Sequence, residues 1–360
     1  MAETKRLGYV DWLKAIGIFL IVLGHCLPAY TLPRTVIYAF HVPLFAFAGG
    51  LLSKPAKTIK ECFLKVLGLL KRMGIPYLIW FLVSCVPYML PECPFKTDYS
   101  FSELVEIFFL LNGRPMWNAA LWFIPCYFVV NLLFVFLSYL TKGNKLLMLS
   151  CGFVSFLGII KLVLSEKTIN FFKYQNIFSM HNVFLLFGFF CLGYALKDII
   201  KYIAEWKEKP HKNYLLYIAL GVFITSIIVC ALVNRDETRP GGYYGMSVLN
   251  LRYNDIYVYI LMATLILISL TLTCALLPKN TVTLVMSQGS FFIMATHYLF
   301  FRSKFHTSPS YKAGKWEASM HLGMREGVYI TVILVAILLI LYLFRKRFKW
   351  FSKMLTYFGI

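Results

Sequence analysis

The sequence predicts an all-α, polytopic membrane protein that forms a single domain over residues 1–360. Hydrophobic residues make up 59% of the chain, charged residues make up 14%, and the mean hydropathy is +0.70. Soluble domains carry about 25% charged residues. The apolar residues occur in stretches of about 18 residues or more, which is the length that a helix needs to cross a bilayer. The ten predicted spans lie near 9–28, 35–52, 73–90, 121–140, 146–164, 181–199, 213–233, 256–277, 283–302 and 327–346.

The Lys and Arg residues between these spans predict the orientation. If the N-terminus is cytoplasmic, the cytoplasmic connections hold more Lys and Arg than the external ones, although the connection between the last two spans is also basic. The positive-inside rule then places both termini in the cytoplasm. The net charge of +20 is assigned to helix ends that meet anionic lipids, because no nucleic-acid-binding motif accompanies it.

The nine cysteines are spread singly, without CxxC spacing. This pattern indicates neither a zinc site nor a redox motif, so we expect packed, reduced thiols and no metal.

The first span carries three ionisable residues on one helix face. Lys14 and His25 are separated by about three helical turns, which places them on one face about 16 Å apart along the axis. Asp11 precedes Lys14 by one turn, on nearly the same stripe. An ionisable group within a membrane helix is costly to insert and usually marks a pathway or a reaction centre. We therefore predict catalytic roles for Asp11, Lys14 and His25, although Lys14 can also be read as a snorkelling side chain or a partner of Asp11.

Five further residues are predicted to contact a substrate. In the predicted topology His41, Trp122, Arg252 and His297 lie toward the outer side of the membrane, and Arg72 lies toward the inner side. Each also has a structural interpretation. The histidines can be hydrogen-bonded packing residues, Trp122 an interfacial aromatic, Arg72 a topogenic charge, and Arg252 a member of an ordinary loop ion pair.

Six segments resemble the motifs of the membrane-bound acyltransferase family 3, in the family's order and over nearly the whole chain. They are the first span from Tyr9 to His25, Phe40-His-Val-Pro-Leu-Phe-Ala-Phe-Ala-Gly-Gly-Leu51, Arg72-Met-Gly-Ile-Pro-Tyr-Leu-Ile-Trp80, Leu121-Trp-Phe-Ile-Pro125, Phe184-Leu-Leu-Phe-Gly-Phe-Phe-Cys-Leu-Gly-Tyr194 and Gln288-Gly-Ser-Phe-Phe-Ile-Met-Ala-Thr-His297. With a tryptophan after Asp11, the sequence is most similar to the family branch that is related to fucose 4-O-acetylase and modifies polysaccharides. The family pattern usually has arginine where Lys14 stands. Lys14 keeps the positive charge of that arginine but lacks its planar guanidinium, which can bind two oxygens at once.

The resemblance implies a transmembrane O-acyltransferase in the cytoplasmic membrane of a bacterium. Such an enzyme moves an acetyl group from cytosolic acetyl-CoA, its co-substrate, to a carbohydrate hydroxyl of a surface polysaccharide or a lipid-linked glycan. An imidazole can accept the proton of the attacking hydroxyl, which typically accelerates a reaction by about 10²- to 10⁴-fold. His25 is therefore the predicted base. The sequence leaves open whether it acts on the acceptor or first takes the acyl group as a nucleophile.

Two other functions stay open at this point. An O-succinyltransferase would share the enzyme class and differ only in the donor. A glycan exporter or proton-coupled carrier would also suit ten spans with intramembrane Asp, Lys and His. Carriers are often built from internal repeats, however, and none is evident in this sequence.

Overall fold

The computed structural model describes residues 7–89, 100, 102–103, 118–165, 179–205, 212–305 and 323–360. Within these ranges nine helices are long and apolar enough to cross a membrane, which confirms the predicted all-α polytopic class. The helices are α1 (Gly8–Cys26), α2 (Leu32–Leu52), α3 (Ile59–Leu69), α4 (Ile75–Met89), α5 (Phe123–Leu140), α6 (Lys145–Leu164), α7 (Met180–Ala204), α8 (Lys212–Val233), α9 (Ile256–Leu276), α10 (Thr281–Gln288), α11 (Ser290–Phe305), α12 (Met324–Arg347) and α13 (Lys349–Tyr357). The predicted connections near 91–99, 104–117, 166–178, 206–211 and 306–322, with Cys93, lie outside the described residues.

Short polar side chains begin several of these helices. Asn144, Asp255 and Asn280 each accept hydrogen bonds from two backbone N–H groups in the first turn of α6, α9 and α10. Thr58 accepts one from the backbone of Glu61 at the start of α3. Such caps satisfy N–H groups that have no partner within the helix, so the helix ends are encoded locally.

The third span begins earlier than predicted. The segment Leu70–Gly74 is π-helical and joins α3 to α4, so the helix starts at residue 59 and not near 73. The lysines between residues 53 and 72 are typical of a loop between two spans. One of them, Lys65, instead lies along α3 and donates from its Nζ to the backbone oxygen of Lys54 at 3.0 Å.

The predicted span near 283–302 is divided into α10 and α11 at Gly289. A Cβ atom on Gly289 would overlap the side chain of Leu338 in α12. Glycine therefore permits close packing against α12 at the break, and neither half is long and apolar enough to count as a span by itself.

The spans fall into an inner and an outer group. In α1, α2 and α7, 61%, 78% and 61% of the apolar window is buried, compared with 22% in α6 and 17% in α8. The outer helices are apolar all round and expose large side chains such as Phe153 and Ile218, as expected for helices that face lipid. The inner helix α1 packs against two hydrophobic clusters, one with α2, α7 and α9 and the other with α4, α11 and α12. It is thus the central element on which a site can be built.

Two glycines bring α2 and α7 into backbone contact. A Cβ atom on Gly50 would overlap the backbone oxygen of Phe190, and a Cβ atom on Gly193 would overlap that of Phe47. Small residues at helix crossings allow this close approach in membrane proteins. The contact fixes α2, which carries His41, against the core.

Candidate functional site

A cavity of about 300 Å³ lies at the C-terminal end of α1. We call it the histidine cavity, because His25 and His41 both line it. Trp122 and Arg252 also line it. Four predicted site residues that are far apart in sequence therefore surround one space.

His25 occupies the last turn of α1 and meets a second histidine from α11. Its Nδ1 lies 3.2 Å from the Nε2 of His297, and the two rings stack with centroids 5.2 Å apart. The Tyr298 ring packs on both, 5.1 Å from His25 and 4.8 Å from His297. His297 itself is fully buried, behind the cavity.

The hydrogen bonds of His297 determine which nitrogen of His25 carries the proton. The Nδ1 of His297 lies 3.0 Å from the carbonyl oxygen of Ile293. A carbonyl only accepts, so this nitrogen must be the protonated one. In a neutral His297 ring the Nε2 is then an acceptor, and the His25 Nδ1–H donates to it. The Nε2 of His25 is left with its lone pair, which is the tautomer that a general base requires.

His41 faces the same cavity from α2. Its Nδ1 donates to the carbonyl oxygen of Ile37 at 2.8 Å, which leaves its Nε2 as an acceptor in the neutral ring. The Tyr38 ring lies 4.7 Å from His41 and 6.2 Å from His25. The Arg34 guanidinium stands over the Tyr38 ring at 4.9 Å. The Arg34 guanidinium and five rings, those of His25, Tyr38, His41, His297 and Tyr298, thus cluster at one end of the bundle.

Trp122 is buried in a 3₁₀ turn, Ala119–Trp122, that precedes α5. This placement differs from that of an interfacial aromatic, because the ring lines the histidine cavity. Asn118 fixes the turn, since its Nδ2 donates to the Ser84 Oγ at 3.2 Å and to the backbone oxygen of Ala295 at 2.9 Å. The turn is therefore attached to α11 close to His297.

The loop over residues 234–255 forms the rim of the histidine cavity, where Arg252 is exposed. The Thr35 Oγ1 donates to the backbone oxygen of Tyr244 at 3.1 Å, which ties the loop to α2. Within the loop, hydrogen bonds from Thr238 lower the pKa of the Asp236 carboxyl. The loop is thus an ordered wall of the cavity.

A second cavity, of about 180 Å³, lies further along α1 toward its N-terminus. We call it the lysine cavity, because Lys14 lines it, together with Gly49, Tyr127 and Ser290. The Nζ of Lys14 donates to the backbone oxygen of Ser287 at 2.8 Å. Lys14 therefore bridges α1 to the end of α10.

The other two predicted residues lie outside both cavities. Asp11 is buried and lines a separate pocket with Lys279 and Asn280. Arg72 is exposed in the π-helical segment, where its Nε donates to the backbone oxygen of Gly68 at 3.2 Å. Its neighbour Met73, and not Arg72, lines the lysine cavity. Asp11 and Arg72 therefore line neither the histidine cavity nor the lysine cavity.

A family model described as an acyltransferase domain, Acyl_transf_3, matches residues 7–345. The chain belongs to this acyltransferase family. No curated protein sequence and no solved structure gives a significant match. The family match supports a membrane acyltransferase, in agreement with the resemblance of the six motifs.

The two cavities differ in the chemical groups that line them. The histidine cavity is lined by the His25 imidazole and the Arg34 guanidinium, and the lysine cavity is lined by the Lys14 ammonium group. Among the residues that the structure describes, no group of three or more His, Cys, Asp or Glu side chains is arranged to hold a metal ion.

Sequence reasoning missed Tyr38, Tyr298 and Arg34. Tyr38 precedes His41 by three residues in one helix, so helical periodicity places the two on one face. Tyr298 directly follows His297. In the sequence Arg34 is only a charge between two predicted spans, and its position over the Tyr38 ring depends on how α2 begins.

Proposed function

We propose that this acyltransferase moves an acetyl group from cytosolic acetyl-CoA to a carbohydrate hydroxyl on the other side of the membrane. The hydrogen bond between His25 and His297 carries this proposal, because it leaves a proton-accepting nitrogen on a residue that lines a cavity. The acceptor is a surface polysaccharide or lipid-linked glycan, as the motifs imply. The site belongs in the cytoplasmic membrane of a bacterium, with both termini in the cytoplasm.

In the proposed reaction, the acceptor hydroxyl oxygen attacks the thioester carbonyl carbon while the Nε2 of His25 takes the hydroxyl proton. The new C–O bond replaces the C–S bond, and the CoA thiolate leaves and gains a proton. His297 acts as a positioning residue. It accepts from the Nδ1–H of His25 and thereby favours the imidazolium that forms, as an acceptor behind a catalytic histidine does in other enzymes.

Lys14 is proposed to act on the donor side. It lies about 16 Å from His25 along the helix axis, in its own cavity. An ammonium there can attract the anionic donor, and its bond to Ser287 holds it at the end of α10. Trp122, His41 and Arg252 line the histidine cavity and are proposed to contact the acceptor.

The test is transfer of radiolabelled acetyl from acetyl-CoA to glycan in membranes that contain the protein. The proposal predicts label in glycan with the wild type and none with His25→Ala, while the mutant inserts and melts as the wild type does. Thr264→Ala, a change in α9 away from both cavities, is the control. Transfer by His25→Ala at the wild-type rate would contradict the role of His25. No transfer by the wild type would contradict the proposal that acetyl-CoA is the acyl donor.

A further inference from the structure

Four apolar side chains separate the two cavities. Ile21, Phe45, Phe123 and Met294 each line both the histidine cavity and the lysine cavity. They come from α1, α2, α5 and α11, so each of four helices contributes one. We call these four side chains the apolar layer.

The helical register places the layer between the two ends of the site. On α1, Ile21 lies one turn before His25 and about two turns after Lys14. On α2, Phe45 lies one turn after His41. A straight route from the lysine cavity to the base therefore crosses the layer.

The layer is closely packed on one side. The Phe45 and Phe123 rings are edge to face, with centroids 6.1 Å apart, and Phe123 stacks on Tyr127 at 5.2 Å. Phe45 also lies against Gly17, where an added Cβ atom would come within 2.9 Å of its ring. The two rings thus have little room to move apart, whereas Met294 is flexible and unbranched.

From this geometry we propose that the apolar layer sets which acyl group reaches His25, with Met294 as the side chain that limits its length. The inference rests on the acetyl transfer proposed above, and it adds the residues that select the donor. The acyl group enters the layer as the leading end of the CoA thioester, because the thioester carbonyl must reach the hydroxyl that His25 activates. An acetyl group is small and uncharged and can pass between apolar side chains, whereas a longer chain requires Met294 to move further.

The layer also discriminates by charge. All four side chains are uncharged and apolar, so a carboxylate between them would lose its hydration without gaining a partner from the layer, which is strongly unfavourable. Succinyl groups end in a carboxylate. The layer therefore favours acetyl over succinyl as the transferred group.

The test compares Met294→Ala with Met286→Ala. Both methionines are buried on the two halves of the divided helix, at 5% and 9% exposure, but Met286 lines a pocket beside α12 and neither of the two cavities. Each change removes the same Cγ, Sδ and Cε atoms. Membranes that contain each variant are given labelled acetyl-, butyryl-, hexanoyl- or succinyl-CoA, and label in glycan is measured.

We expect Met294→Ala to raise the ratio of hexanoyl to acetyl transfer by about tenfold or more, the order that one methylene is worth in an apolar pocket. Met286→Ala should leave the ratio unchanged. Met294→Phe should act in the opposite direction and suppress butyryl before acetyl transfer. Succinyl transfer should stay low in all of them.

Two failures can be told apart. If the wild type transfers acetyl but Met294→Ala and Met294→Phe both keep its chain-length profile, the apolar layer does not select the acyl group and the proposed function stands. If the wild type transfers no acyl group from any CoA donor, the proposed function fails and the layer has no acyl group to select. Succinyl transfer faster than acetyl transfer by the wild type would contradict the charge argument.

Discussion

Replacing His297 with alanine removes the acceptor for the Nδ1–H of His25 and leaves the catalytic imidazole itself in place. In the structure this contact is 3.2 Å long, and His297 is fully buried. No side-chain nitrogen would remain at position 297 to accept from His25 when it becomes an imidazolium. We therefore expect kcat to fall and the KM for acetyl-CoA to stay near the wild-type value.

The size of the effect follows from the cost of losing one buried hydrogen-bond partner. Losing one hydrogen-bond partner of the buried imidazolium costs about 1–3 kcal/mol in the transition state, which corresponds to a decrease of about 5- to 150-fold in kcat. This is less than the loss of about 10²- to 10⁴-fold expected from removing the base itself. His297→Gln should recover part of the rate, because its amide can donate to Ile293 and accept from His25.

The assay is acetyl transfer to glycan over a range of acetyl-CoA concentrations, together with the melting temperature of the purified protein. Thr296→Val is the control, since Thr296 is buried in the same helix turn and its Oγ1 donates only to the backbone oxygen of Phe292 at 2.7 Å. A wild-type kcat for His297→Ala would refute the reasoning. So would a fall in kcat that Thr296→Val reproduces with an equal fall in melting temperature.

Three further changes test the donor side, the orientation and the packing. Lys14→Ala should raise the KM for acetyl-CoA and leave that of the acceptor unchanged, while Lys14→Arg keeps most activity; unaltered donor kinetics would make Lys14 only an anchor. In a cysteine-free background, a membrane-impermeant maleimide should label Glu237→Cys and not Lys57→Cys in intact cells, and the reverse pattern would invert the topology. Gly50→Ala should destabilise the protein by about 1–3 kcal/mol, as overpacking typically does, since its Cβ overlaps the backbone of α7. Gly221→Ala on the exposed side of α8 has no atom within 4 Å of the added Cβ and should not lower the melting temperature in detergent.

The placement of the ionisable side chains on the first span could largely be predicted from the sequence. Charge at Lys14 and His25, the helical period and the motif together place an ammonium and an imidazole on one helix, and the structure puts each in its own cavity. Asp11 shows the limit of this reasoning. It shares the stripe with Lys14, but it lines a separate pocket together with residues at the start of α10.

The contacts between distant segments could not be read in the same way. His297 was expected to contact substrate, but it is fully buried behind His25, where α11 packs against α1. The early start of the third span was hidden by its lysines, which lie along exposed parts of α3. The apolar layer is visible in sequence only as ordinary core residues, because its position depends on four helices meeting at one level.

Mass spectrometry of the glycans from cells tests most directly whether the protein acetylates a glycan with His25 as the base. A strain that lacks the protein is complemented with the wild type or with His25→Ala, both present in the membrane at equal amounts. We expect one acetyl mass increment on a glycan with the wild type and none with His25→Ala. Equal acetylation in both strains, or an increment of a different acyl group with the wild type, would contradict it.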